Sequence, residues 1–109
     1  MVVLGETLSR TGKMIRLTKT QWQHITRKRF PKILIIAHLL ETVKDPNHLF
    51  HNPQGCEIHA VNTEWRRRGG FTECLVVLYR EFEIDGFIIT AIPMNIEKLK
   101  RRCSDWQEL

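Results

Sequence analysis

TECLVVLYREFEIDGFIITAI, residues 72–92, carries the strongest architectural signal in the chain. Residues 72–82 are dominated by side chains that favour a pleated, half-buried surface, which predicts a strand. Asp85-Gly86 is a hairpin dipeptide, and residues 87–92 (FIITAI) read as the returning strand, closed by Pro93. Alternation places Phe87, Ile89 and Ala91 on one face of that strand and Ile88, Thr90 and Ile92 on the other.

Outward from this pair, the patterns assign the rest of the chain. Residues 56–65 form a further strand candidate, joined to 72–82 through the turn-forming RRRGG of residues 66–70. Before them the period changes. In LTKTQWQHITRKRFP, residues 17–31, Thr18 and Gln21 have capping-box spacing, so a helix starts there and runs to about residue 30, where Pro31 stops it. Residues 32–44 repeat Ile33, Ile36, Ala37, Leu40 and Val43 at the spacing of an amphipathic helix, and Asp45-Pro46-Asn47 ends it. Val2, Val3 and Leu4 suit a sheet edge. Asn95 caps a last helix through about residue 107, with Ile96, Leu99, Cys103 and Trp106 inward. The expected fold is a single α+β domain over residues 1–109. N-terminal helices pack on a twisted antiparallel sheet of about four strands, covered chiefly by the second helix.

Charge is distributed unevenly. The net charge is +5 with a pI near 9.5, and residues 10–32 hold eight Lys or Arg and no Asp or Glu. Exposed helices ordinarily mix signs, so this pole implies a negatively charged partner. Cys56, Cys74 and Cys103 are an odd number without framework spacing, and no secretory leader pattern is present. A reduced, cytoplasmic protein is the expectation. The longest apolar run, ILIIAHLL at residues 33–40, is too short to span a bilayer, so no membrane association is expected.

On a helical wheel Trp22, Ile25 and Phe30 share one arc, while Gln21, His24, Arg27 and Lys28 lie opposite. His24 thus sits among cations. Histidine exchanges its proton near neutral pH, which suits general acid or base work on a phosphodiester, and RNA carries its own nucleophile in the 2′-hydroxyl. Arg66, Arg67 and Arg68 would present guanidinium forks from a loop, either to phosphate oxygens or simply to water. Trp65 beside them could stack on a base or join the core. Thr90 could donate to a phosphate if its face looks toward the first helix; a threonine among isoleucines is otherwise an ordinary β-former.

Other chemistries find less support. His48, His51, Cys56 and His59 are zinc-compatible ligand types, but their spacing matches no common structural site, and no metal is assigned. No Gly-rich phosphate loop, serine elbow or paired-carboxylate site occurs.

MIRLTKTQWQHITRKRFP, ETVKDPNHL, LVVLY and GFIITAI, taken in order, resemble the phage-barnase, EndoU, colicin and RelE-like (BECR-fold) nuclease superfamily over residues 14–94. The resemblance implies a metal-independent, toxin-like endoribonuclease that needs no cofactor and transesterifies RNA to a 2′,3′-cyclic phosphate. His24 would be acid or base, Arg67 would stabilise the developing charge, and Thr90 would position the phosphate. Arg27, Lys28, Arg29, Arg66 and Arg68 would hold the RNA backbone. A small acidic antitoxin or immunity protein is the further partner implied. Where the family's motif has a second histidine before proline, this chain has Arg29-Phe30-Pro31. The alternative is a non-catalytic module binding RNA or a protein partner through the same basic pole.

Overall fold

The computed structural model of the 109-residue chain describes residues 1–28, 34–52, 55–104 and 106–109. In chain order the elements are β1 (Val3–Leu8), β2 (Met14–Thr18), α1 (Lys19–Lys28), α2 (Ile36–Lys44), β3 (His48–His51), β4 (Glu57–Asn62), a 3-10 turn (Trp65–Arg68), β5 (Cys74–Glu81), β6 (Asp85–Met94), α3 (Ile96–Arg102) and β7 (Gln107–Glu108). The strands form one sheet in the order β1-β2-β6-β5-β4-β3-β7.

The expectation of about four antiparallel strands is therefore overturned. The fold is α+β, but its sheet has seven strands and is mixed, because β2 runs parallel to β6. The additional strands β2, β3 and β7 are short, with five, four and two residues. The sheet is also covered on both faces. One core joins Ile15, Leu17, Leu75, Val77, Tyr79, Ile88 and Ala91 to Ile25 of α1 and to Leu39 and Val43 of α2. The second joins Val61, Cys74, Val76, Leu78 and Met94 to Leu99 of α3 and to Cys103. Six consecutive buried residues in β5 follow from this sandwiching, which explains its unbroken apolar run.

Local signals resolve unequally. Thr18 Oγ1 accepts from the Gln21 amide at 3.2 Å, and Asn95 Oδ1 accepts from the Lys98 amide at 2.9 Å, so both expected caps form. β1 is the edge strand expected of Val3 and Leu4. The second helix begins only at Ile36, after an extended Ile35, and buries Leu39, Thr42 and Val43 while Ala37 stays exposed. Of the expected apolar stripe, Val43 is in the core and Ile36 and Leu40 pack against it, so among the described residues only Ala37 departs from it. Ile33 and the predicted Pro31 stop lie outside the described residues.

Asp85-Gly86 is not the turn. The Phe82 amide donates to the Asp85 carbonyl, so the hairpin tip is Glu83-Ile84, and Asp85 and Gly86 already pair with β2. Gly86 is required for another reason: a Cβ there would collide with the Arg80 carbonyl oxygen and lie 2.8 Å from Ile15 Cδ1. Pro93 does not end its strand either. β2 accompanies β6 only as far as Phe87, so Pro93 sits where the missing N–H costs no ladder bond to β2.

Alternation fails inside β6. The register shifts between Leu78 and Tyr79: Tyr79 faces Ile88, but Leu78 faces Thr90, which leaves Ile89 as an extra, bulged residue. Ile88 and Ala91 consequently belong to the core beneath α1 and α2, whereas Ile92 packs with the core beneath α3. Ile88 and Thr90 do not share a face.

Gly86→Ala should destabilise the fold by more than about 2 kcal/mol, because the obstructing atom is backbone and cannot swing aside. Urea unfolding checks this; an unchanged midpoint would contradict the packing at the β2–β6 junction.

Candidate functional site

Because β2 leaves β6 at Phe87, the remaining outer edge of β6 has no strand beside it among the described residues. The chain turns from β2 directly into α1, which lies along that edge. Gln21 is the fastener. Its side-chain amide donates to the Ile89 carbonyl, in place of the ladder bond a neighbouring strand would have made. The capping box is thus half realised, since Thr18 caps Gln21 but the Gln21 side chain goes to the sheet.

A cleft of about 410 Å³ opens at this edge, lined by Gln21, His24 and Ile25 of α1, by Ile89, Thr90, Ala91 and Ile92 of β6, and by Arg102 at the end of α3. Ile25 is buried and anchors α1, while His24, on the opposite side of the helix as the wheel predicted, is exposed at the rim. The bulge turns Thr90 out of the core beneath α1 and α2 and into the same cleft. Two of the three sequence-predicted catalytic side chains therefore meet.

Arg67 does not join them. Arg66, Arg67 and Arg68 form the 3-10 turn between β4 and β5, and none of them lines the cleft. Arg68 pairs with Glu41 of α2 at 2.9 Å, and Arg66 reaches the Phe71 carbonyl. Trp65 is fully buried and donates through its indole N–H to His38 Nδ1 at 3.1 Å, so it is a core residue and not a stacking platform. Arg27 is exposed on α1. Arg29 and the Lys28 side chain lie outside the described residues.

The cation at the cleft is Arg102, which no motif singles out because it falls within the general basic character of α3. Its Nε donates to His59 Nε2 at 3.2 Å. His59 is fully buried in β4, its ring 3.9 Å from that of Trp106 in an edge-to-face contact. Burial, with the nearby Arg102 charge, pulls the His59 pKa from 6.5 down to about 3, so the ring is neutral.

His48, considered for metal, instead contacts Glu108 at 2.7 Å, tying β7 to β3. Among the described residues no group of three or more His, Cys, Asp or Glu is placed to hold a metal ion. Nor, among those residues, is any helix long and apolar enough to cross a membrane. Cys56 is exposed, and Cys74 and Cys103 are buried, with burial raising both thiol pKa values. Compared with protein-family models, curated proteins and solved structures, the chain matches none of them.

A buried neutral histidine makes stability pH-dependent. The folded pKa is depressed, so its contribution is fully present above pH 6.5 and is lost as pH falls toward 3, where the unfolded chain binds the extra proton. Unfolding free energy should fall between pH 7 and 5 by about 2 kcal/mol more in the wild type than in His59→Leu. Parallel denaturant titrations measure the difference; identical slopes would contradict a buried neutral His59.

Proposed function

We propose that the chain is a metal-independent endoribonuclease whose reactive phosphate occupies the cleft at the open edge of β6. The observation that supports this reading is the convergence of His24, Thr90 and Arg102 on one solvent-open cavity of about 410 Å³. That set supplies one proton carrier, a neutral hydroxyl donor and a cation, elements that transesterification of RNA uses. The resemblance of residues 14–94 to the nuclease superfamily points the same way through His24 and Thr90.

In this mechanism the 2′-hydroxyl oxygen attacks the adjacent phosphorus as the His24 imidazole accepts its proton. The bond to the 5′-oxygen then breaks, and that oxygen takes a proton from the resulting imidazolium or from water, leaving a 2′,3′-cyclic phosphate and a 5′-hydroxyl. Arg102 stabilises the charge that builds on the non-bridging oxygens, and Thr90 donates a hydrogen bond to one of them. Arg27 on α1 and Lys98 and Arg101 on α3, the helices that carry His24 and Arg102, would hold the strand through phosphate contacts.

One observation favours a second reading. Among the described lining residues, His24 is the only side chain able to shuttle a proton near neutral pH. A module that binds RNA without cutting it would need no second one.

Purified protein incubated with end-labelled RNA in EDTA should yield fragments with cyclic-phosphate ends. His24→Ala should lower cleavage by at least about 100-fold, the usual size of a lost general acid or base. Arg102→Ala should lose about as much, whereas dominance of Arg67→Ala over Arg102→Ala would return the cation's role to the 66–68 turn. Salt-sensitive binding without product would establish the binding module instead.

A further inference from the structure

The buried imidazole behind Arg102 has no place in the chemistry above, and its bonding is unusual. An arginine has donors only, so His59 must accept at Nε2, which puts its proton on Nδ1. Among the described residues that Nδ1 is buried without a partner. An orphaned buried donor is a cost that a leucine or phenylalanine packed against Trp106 would avoid.

Cross-strand register supplies the geometry. Phe50, His59, Leu78 and Thr90 stand directly opposite one another on β3, β4, β5 and β6. His59 and Thr90 are thus two strands apart in a single row, about 10 Å. Arg102 comes down from α3 over this row, with its Nε on His59 and its side chain in the lining of the cleft that holds Thr90. The bond at Nε leaves the terminal guanidinium nitrogens for the cleft.

The acceptor's chemistry matters as much as its position. Arg16 is held by Asp85 and Glu6, Arg68 by Glu41 and Arg80 by Glu57, each a carboxylate that cancels much of the charge. Among the described residues Arg102 has no carboxylate partner; its acceptor is a ring kept neutral by burial. A neutral acceptor orients the guanidinium while leaving its charge available to an anion.

We propose that His59 is a positioning residue: it holds Arg102 in the orientation that grips a phosphodiester in the cleft. The proposal rests on the phosphate-binding reading of that cleft, and its test separates the two. An RNA oligonucleotide with 2′-O-methyl groups cannot transesterify, so its affinity reports binding without cleavage. Fluorescence titration would compare wild type, His59→Leu, Arg102→Ala and the double variant, with folding checked by thermal unfolding. His59→Leu should weaken binding about five- to tenfold, and the same change should have almost no effect once Arg102 is alanine. His59→Gln, which returns an acceptor near the Nε2 position, should restore most of the affinity and stands in if the leucine variant fails to fold.

An equal loss in both backgrounds, or no rescue by glutamine in a folded protein, would overturn the positioning role while leaving the cleft intact. Binding with full coupling but no cleavage of ordinary RNA would remove the nuclease reading and keep the positioning role. Failure of the wild type to bind RNA at all would overturn both.

Discussion

The parallel pairing of β2 with β6 stops after Arg16 and Phe87, and the cleft at the outer edge of β6 follows from that early parting. A strand flanked on both sides along its whole length would have no accessible edge. Here the chain leaves the sheet after five residues of β2, starts a helix at Thr18, and lays that helix along the edge it has just vacated. The backbone group left over is met by Gln21, and the space left over is the cleft. α1 is anchored by Ile25 and Trp22 in the first core, α3 by Leu99 and Cys103 in the second. The cleft is walled by both layers, so side chains remote in sequence meet there.

The bulge at Ile89 is the second constraint. In a regular strand Thr90 would follow Ile88 onto the buried face beneath α1 and α2, where its hydroxyl would need an internal partner. One inserted residue aims Thr90 at the opening instead. Bulges bend and twist the strand that carries them, and they recur beside functional sites because they re-aim a side chain without altering the rest of the ladder. β5 beside it stays regular and is buried from Cys74 to Tyr79, a rigid backing for the irregular strand.

How much of this was legible in the sequence can be traced residue by residue. The helix caps at Thr18 and Asn95, the outward placement of His24 and the strand 72–82 were readable, because each rests on local chemistry or a clear period. The seven-strand mixed sheet was not: β7 is held by pairing with β3 and β2 by its parallel pairing with β6, partners more than fifty residues away, which no window of their own residues encodes. Asp85-Gly86 misled because the glycine answers to a close backbone approach at the β2 junction and not to a turn. At the candidate site, His24 and Thr90 line one cleft, whereas the Arg66–Arg68 turn, singled out by density of charge alone, does not border it. Arg102 differs from its basic neighbours only through its acceptor, His59, forty-three residues earlier. Such long-range pairs leave no trace in one sequence.

A two-dimensional NMR titration of the isotope-labelled protein with the 2′-O-methyl RNA oligonucleotide would locate the bound phosphates. Binding at the open edge of β6 should give the largest shift changes at the His24 ring, the Thr90 amide and the Arg102 Nε–H, with the 66–68 turn nearly still. Changes centred on that turn, with the edge of β6 unaffected, would contradict it.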